Sequence, residues 1–223
     1  MSAAAAPAPK AVVPKRRGSP RRRLFVVLGL AVLVVAAMAV DTTVVRVGSE
    51  GDVRSQAFSP DRYGETEFPR IQADIEKRAP DAATLAAAVI ADKAAATKQY
   101  GTASSTGAIL PVKLTGTVGE GKSGIYDLSV EGVPPDVRVR VQTGPAINGT
   151  DLRDATGDIA FGKFKNQIEY QNAGAGINRA MKAKVLDGVD VANLKGKTVE
   201  VAGAFRLINP KNWLITPVRL TVK

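Results

Sequence analysis

The polar side chains best suited to chemistry lie between residues 144 and 170. Asp151, Arg153 and Asp154 fall within one helical turn, and a second polar group follows farther along the chain. Arginine, aspartate and asparagine supply the fixed donors and acceptors with which proteins recognise sugar hydroxyls. The predicted ligand or partner site therefore comprises Asn148, Thr150, Asp151, Arg153, Asp154, Asn166, Gln167 and Glu169.

These residues also have a purely structural interpretation. Thr150 can cap a short helix with Asp151 in its first turn, and Gly157 can end that helix. The charged side chains can then pair with one another across the segment. Ligand binding and internal pairing are both compatible with the sequence.

Histidine and cysteine are absent from the 223 residues. Their absence excludes Ser-His-Asp triads, Cys-His dyads, histidine-ligated zinc, thiolate metal sites and disulfides. It also excludes the attachment of a lipid to a cysteine thiol. We therefore predict no catalytic residues, no metal site and no cofactor.

A carboxylate pair is the remaining candidate for catalysis. Asp151, Asp154, Asp158 and Glu169 could include two carboxylates about 5–9 Å apart across a cleft, as in glycosidases. Such a cleft needs aromatic side chains, and the sequence has one tryptophan and four scattered tyrosines. A carboxylate-based glycan-acting enzyme is therefore the alternative function and not the leading one.

An apolar stretch, Leu24–Val40, determines on which side of a membrane these polar residues lie. Seventeen residues without a charge form a helix of about 25 Å, close to the ~30 Å hydrocarbon core of a bilayer. Basic residues precede it and no acidic residue does, so the positive-inside rule leaves the N-terminus in the cytoplasm. We predict a single-pass protein of the cell membrane with the bulk of the chain outside the cytoplasm.

The N-terminal segments follow from the same pattern. Residues 1–23 are predicted to be a disordered basic cytoplasmic tail, and residues 24–40 a transmembrane signal-anchor in contact with membrane lipid. Cleavage after Ala39 is the alternative, because Ala37-Met38-Ala39 has the form of a signal-peptidase site.

The extracytoplasmic part divides by hydrophobic period. After a tether at 41–64, apolar residues at helical spacing predict a helical lobe at 65–100. Residues 108–223 then alternate in five strands, with a helical insertion between the third and the fourth. The predicted fold class is α+β: an N-terminal transmembrane helix, a small helical lobe, and a five-stranded, partly open β-barrel of the oligomer-binding (OB) type with inserted helices. A plain antiparallel sheet packed by helices is the alternative.

Finer features of the elements can also be predicted. Apolar spacing indicates a short helix that Pro80 ends, a second helix over 82–100 and a third over 171–187. Pro217 indicates an edge or a bulge in the last strand, because proline cannot donate to a sheet. Gly203 would let the fourth strand bend around the barrel.

The charge distribution limits the partners. The formal net charge is +10, but most of it belongs to the N-terminal tail, and the rest of the chain has only a small positive excess. This balance predicts no nucleic-acid partner. Arg138 and Arg140 alternate with valines on the third strand, and we interpret them as its solvated outer face.

The stretch GPAINGTDLRDATGDIAF at 144–161, followed by KNQIEY at 165–170, resembles the signature of a bacterial family. This is the uncharacterised family of predicted periplasmic lipoproteins, domain of unknown function 2291. The resemblance covers most of residues 41–223, including DTTVV at 41–45 and the strands VAGAFRL and ITPVRLTV near the C-terminus.

The resemblance implies a membrane-tethered, extracytoplasmic protein with a helical lobe and a β-barrel-like lobe. It also implies an accessory role beside a sugar ABC transporter or its binding protein, and it supplies no activity. Because this chain has no cysteine, its α-helix must replace the lipid of a lipoprotein.

Three functions follow from these observations. The leading hypothesis is a non-enzymatic, membrane-anchored binding or accessory module linked to sugar ABC transport. The glycan-acting enzyme is the second. A purely structural envelope protein is the third, and it requires the polar atoms of residues 144–170 to be satisfied internally.

Overall fold

The structure is a computed structural model, and the part of the chain that it describes comprises residues 20–42, 58–104 and 106–223. The predicted tail therefore lies outside the described residues up to residue 19, and the predicted tether does so from 43 to 57. The chain forms two compact units, Met1–Ala57 and Phe58–Lys223.

The first unit contains helix α1, Pro20–Asp41. Its 22 residues correspond to about 33 Å, which matches the thickness of a bilayer core. Leu24–Asp41 is long and apolar enough to cross a membrane, and none of it is buried in the structure. A signal sequence near an N-terminus has the same length and composition, so α1 is a candidate span.

The second unit begins with helix α2, Pro60–Arg78. The Ser59 hydroxyl accepts a hydrogen bond from the Arg62 amide, and proline suits the first position of a helix because its missing N–H is not needed there. The helix therefore starts before residue 65, the predicted beginning of the helical lobe. It buries the apolar residues that indicated it: Phe68, Ile71 and Ile75.

The predicted helix over 82–100 is divided in two. Helix α3 spans Ala82–Ala91 and helix α4 spans Lys93–Tyr100. Asp92 lies between them in an extended conformation, and its carboxylate accepts hydrogen bonds from the amides of Ala94 and Ala95 at 2.8 and 3.0 Å. The prediction of one continuous helix is wrong because this aspartate caps a new one.

A five-stranded barrel forms the rest of the second unit. Its strands are β1 Ile109–Lys122, β2 Ile125–Val130, β3 Arg138–Gln142, β4 Thr198–Arg206 and β5 Asn212–Val222. They pair in the closed order β1-β2-β3-β5-β4. Strands β3 and β5 pair in parallel from Arg138–Asn212 to Val141–Ile215, and the other neighbours are antiparallel. This parallel pairing closes the barrel, which corrects the prediction of a partly open one.

The barrel interior is packed with apolar side chains. Phe205 and Trp213 stack with their ring centroids 4.6 Å apart, and neither is accessible to solvent. Opposite Gly203 the pairing of β4 with β5 shifts register, and Pro217 is the residue paired there. The predicted bulge at Pro217 is confirmed.

The insertion between β3 and β4 carries helices α5, Asp151–Asp154, and α6, Gln167–Met181. Asn166 caps α6, so the helix predicted over 171–187 begins at Gln167, and it continues into a π-helical turn at Lys182–Leu186. Helix α6 packs against α2.

Glycines allow these two helices to approach closely. A Cβ atom placed on Gly64 would lie 2.2 Å from the carbonyl oxygen of Gly176. A Cβ atom placed on Gly176 would lie 1.9 Å from the carbonyl oxygen of Pro60. The contact is therefore between two backbones, with no room for a side chain.

Candidate functional site

Thr150, Asp151 and Asp154 meet an arginine from the barrel. Arg206, the last residue of β4, donates from Nε to Asp151 Oδ1 at 3.1 Å. Its Nη2 donates to the Thr150 hydroxyl and to Asp154 Oδ2, both at 3.0 Å. Helix α5 is thereby fixed to the end of β4.

Arg153 binds the same cluster from the other side. Its Nε donates to Asp154 Oδ1 at 2.8 Å, and its Nη1 donates to the Tyr170 carbonyl oxygen at 3.0 Å. The guanidinium also lies 3.6 Å from the centroid of the Tyr170 ring, a cation–π distance. Asp154 therefore bridges two arginines.

This ion network is almost closed to solvent. The side chains of Arg153 and Asp154 are 8% and 10% exposed, and those of Asp151 and Arg206 are both 14% exposed. Burial raises the pKa of the Asp151 carboxyl above its ordinary value, while the charge of Arg206 acts in the opposite direction. Each carboxylate has an arginine partner, so the four charges compensate one another internally.

Asn166 and Glu169 stabilise the start of α6. The Asn166 side chain accepts a hydrogen bond from the Glu169 amide at 2.9 Å, and the Glu169 carboxylate accepts one from the Lys165 amide at 3.0 Å. The first contact satisfies an amide that a helix N-terminus leaves without a partner, and the second fixes the residue before the cap. Gln167, the first residue of α6, is exposed.

The capping role of Asn166 can be tested by two substitutions. Asn166→Ala is expected to lower the free energy of unfolding by about 1 kcal/mol, because alanine has no side-chain atom that can accept a hydrogen bond from the Glu169 amide. Asn166→Ser keeps an acceptor and should remain near the original stability. Urea unfolding followed by the fluorescence of Trp213, the one tryptophan in the sequence, measures both. Equal losses in the two variants would contradict the assignment.

Asn148 lies in a loop whose backbone is held by two amide side chains, those of Gln142 and Asn178. Gln142 Oε1 accepts from the Asn148 amide at 3.1 Å, and Gln142 Nε2 donates to the Asn148 carbonyl oxygen at 3.2 Å. Asn178 Nδ2 donates to the carbonyl oxygen of Gly149 at 2.9 Å. The side chain of Asn148 is on the exposed side of this loop.

Seven of the eight predicted site residues thus belong to three arrangements, the ion network, the α6 cap and the loop at Asn148, and the eighth, Gln167, is exposed at the start of α6. A ligand-binding role for them stays a prediction. Arg206 was not predicted as a site residue, because it lies 52 residues from Asp154 in the sequence. The alternation of apolar and polar residues around it indicates only that it belongs to a strand.

A groove of about 440 Å³ lies at a different place, on the outside of the barrel. Strands β1, β2 and β3 form it together with the turn at Ser123. Its lining includes two carboxylates and three cations: Glu120, Asp127, Lys122, Arg138 and Arg140. Sequence analysis did not identify this groove, because the pairing register that assembles it is not visible in the sequence.

Register places the charged residues of this groove side by side. Asp127 on β2 is opposite Arg140 on β3. Arg138 binds Asp127 through two hydrogen bonds of 2.7 and 3.0 Å, which hold the pKa of that carboxyl below its usual value. Glu120 is paired with Lys195. The two carboxylates of the groove therefore already have partners.

Arg140, one of the groove cations, has no carboxylate partner among the described residues. Its Nη2 donates to Asn212 Oδ1 at 2.8 Å. Its Nε is buried and has no hydrogen-bond partner among the residues that the structure describes. A buried donor without a partner is uncommon in proteins and requires an explanation.

The model of the family "predicted periplasmic lipoprotein (DUF2291)" matches residues 30–221 of the chain. The chain belongs to this family. The match spans the ion network, the barrel and the second half of α1, and it supports an extracytoplasmic location and association with the membrane. No curated protein matches the chain.

The family domain is also similar to a solved structure, that of an OB-fold protein from Thermotoga maritima. The two chains are 17% identical, with a TM-score of 0.60 over 75% of this chain and 99% of the other. At this identity the similarity shows the fold alone. This member of the family therefore has an OB-type barrel, as its strand order indicates.

Proposed function

We propose that the protein is a membrane-anchored, extracytoplasmic binding module that holds an anionic ligand in the groove beside Arg140. The family description supports the location, and α1 supports anchorage. The OB-type barrel supports binding, because such barrels take ligands on the face of strands two and three between the 1–2 and 4–5 loops. The groove lies on strands β2 and β3 beside the β1–β2 turn.

Helix α1 is the proposed anchor, with the N-terminus in the cytoplasm. Seven basic residues and no acidic one precede Leu24 in the sequence, and such a bias holds the preceding segment on the cytoplasmic side. With no cysteine in these 223 residues, a thiol-linked lipid has no attachment point among them. The helix takes over that function.

The charge of the groove indicates the ligand. Asp127 is paired with Arg138, and Glu120 is paired with Lys195. The remaining cations that line the groove are Lys122 and Arg140. A volume of about 440 Å³ accommodates a small acid such as a sugar acid. The observation on which this proposal depends most is that Arg140 lines the groove and has no carboxylate partner among the residues that the structure describes.

Binding is favoured over hydrolysis by the state of the carboxylates. Asp151 and Asp154 contact Arg206, Asp158 pairs with Arg70 at 2.8 Å, and Glu169 caps α6. A glycosidase needs one carboxyl that can give up a proton and a second that can attack or activate water. These four side chains are committed to other contacts.

Titration of the full chain in lipid nanodiscs tests the groove. Glucuronate should bind and glucose should not, because only the former carries a carboxylate. Arg140→Gln removes the charge and keeps a polar side chain of similar length. We expect it to weaken glucuronate binding about tenfold or more, as hydrogen bonds to charged groups contribute about 1.5–3 kcal/mol.

Arg62→Gln is the matched control, since Arg62 is an exposed arginine on α2 and outside the groove. It should leave the affinity unchanged. Equal affinities for glucuronate and glucose, or equal losses in the two variants, would reject an anion site at Arg140.

Two further proposals concern partners. An association with a sugar ABC transporter or its binding protein is tested by affinity purification of the full chain from native membranes with crosslinking. The alternative of a structural envelope protein is favoured by the ion network, whose carboxylates are satisfied internally. Ligand binding at the groove would favour a binding module over a structural envelope protein.

A further inference from the structure

The second unit has an unusual surface between residues 161 and 168. Among its described residues the large apolar side chains that are exposed are Ile90, Phe161, Ile168 and Ile208. Two of them, Phe161 and Ile168, belong to this short stretch and are 50% and 69% exposed. Lys163 and Lys165 lie between them and are exposed as well. We name Phe161, Lys163, Lys165 and Ile168 the apolar-basic patch.

A cluster of aromatic rings contacts Phe161 of the patch. Phe161 contacts Tyr170, with ring centroids 5.7 Å apart, and Tyr170 contacts Phe164 at 5.4 Å. Arg153 of the buried ion network packs on the Tyr170 ring, with its guanidinium carbon 3.6 Å from the ring centroid. Phe161 is therefore held by aromatic rings that also contact the buried ion network.

The same aromatic cluster includes the point at which the domain is joined to its anchor. Phe164 packs edge-on against Phe58, with centroids 5.6 Å apart, and Phe58 is the first residue of the second unit. Residues 42–57 connect Phe58 to α1, so a membrane crossed by α1 is covalently linked to the domain beside the patch. Such a link makes a weak surface interaction effectively intramolecular.

The composition of the patch fits a lipid surface. Phenylalanine and isoleucine enter the boundary between headgroups and acyl chains, while lysines extend their charges to anionic headgroups. A protein partner would be expected to cover the apolar residues without requiring two lysines between them. Nearby Glu169 accepts a hydrogen bond from the Lys165 amide, and no ion pair joins its carboxylate to Lys163 or Lys165 among the residues that the structure describes.

We infer that the apolar-basic patch docks on the anionic lipid of the membrane in which the protein is anchored. This inference depends on the anchorage proposed above and is independent of the groove. Docking would hold the barrel in a fixed orientation on the membrane surface.

The absence of cysteine allows a site-specific test, because one introduced thiol is the only one to be labelled. Gly162 lies inside the patch, and a Cβ atom placed there meets nothing within 4 Å. We would label Gly162→Cys of the full chain with an environment-sensitive fluorophore in nanodiscs that contain phosphatidylglycerol and brominated lipid. The expected result is strong quenching by the brominated chains.

Two other glycines serve as matched controls, since a Cβ atom at Gly188 or Gly29 also meets nothing within 4 Å. Gly188 lies beyond the opposite end of α6 and should be quenched several-fold less than Gly162. Gly29 lies within α1 and reports on anchorage itself. Quenching at Gly29 without quenching at Gly162 overturns the patch alone, and no quenching at Gly29 overturns the anchorage and the patch together.

Substitutions identify the side chains responsible. In the labelled Gly162→Cys protein, Phe161→Ser with Ile168→Ser should reduce quenching to the level at Gly188. Lys163→Gln with Lys165→Gln should reduce it in phosphatidylglycerol nanodiscs and have little effect in neutral ones. Quenching that survives both pairs of substitutions would show that the label, and not the patch, contacts the lipid.

Discussion

Arg206→Met is expected to lower the free energy of unfolding by about 3–5 kcal/mol. The substitution keeps a long unbranched side chain but removes the cation that faces Asp151 and Asp154, whose side chains are 14% and 10% exposed. Two carboxylates then remain near one another in a largely desolvated place, with Arg153 as the remaining partner of Asp154. Urea unfolding followed by Trp213 fluorescence measures the loss.

The loss should depend on pH in a defined direction. Burial already raises the pKa of the Asp151 carboxyl, and removal of Arg206 raises it further. A carboxyl whose pKa is higher in the folded protein than in the unfolded chain stabilises the fold while it is protonated. That contribution is lost as the pH rises through the folded pKa. The deficit of Arg206→Met should therefore be larger at about pH 7 than at about pH 4.5.

Two comparisons establish that charge is responsible. Adding Asp151→Asn and Asp154→Asn to Arg206→Met should restore part of the stability and remove the pH dependence. Arg219→Met breaks an exposed pair with Glu76, whose N–O distance is 3.4 Å, and should cost less than about 1 kcal/mol. A deficit in Arg206→Met that does not change with pH would indicate lost packing instead.

Gly176→Ala should destabilise the protein by about 3 kcal/mol, although alanine ordinarily favours a helix over glycine. Its Cβ atom would lie 1.9 Å from the Pro60 carbonyl oxygen and 2.6 Å from the carbonyl carbon. Because these are backbone atoms, no side-chain rotation can relieve the overlap, and α2 and α6 must separate. Thermal unfolding of the full chain, monitored by circular dichroism, measures the loss.

Gly174→Ala, two residues earlier in the same helix, is the matched control. A Cβ atom there would meet Thr150 Cγ2 at 3.5 Å and Arg153 Cδ at 3.8 Å, which are ordinary contacts. This variant should gain up to about 1 kcal/mol from helix propensity. The opposite signs test the backbone contact, and similar effects of the two variants would disprove it.

Local patterns in the sequence were sufficient for much of the fold. The spacing of Phe68, Ile71 and Ile75 indicated α2, and alternation indicated the strands in their correct order. Pro217 indicated the bulge. Each of these signals acts over a few residues, so it can be recognised without knowing what lies opposite in space.

Features that depend on distant partners could not be predicted. Closure of the barrel requires Arg138 to pair with Asn212, and the ion network requires Asp154 to meet Arg206. The groove likewise depends on the register that sets Asp127 opposite Arg140. Asp151, Arg153 and Asp154 could be grouped because they are close in sequence, but their common partner could not.

The closed order of the strands has a consequence for how other molecules can be recognised. Each strand of the ring pairs with two others, but β5 does so with different halves: Asn212–Ile215 pair with β3, and Thr216–Val222 pair with β4. An extended peptide could therefore add a strand only where one side of a strand is unpaired along part of its length. Along the rest of the ring, where the strands are paired on both sides, recognition must come from side chains.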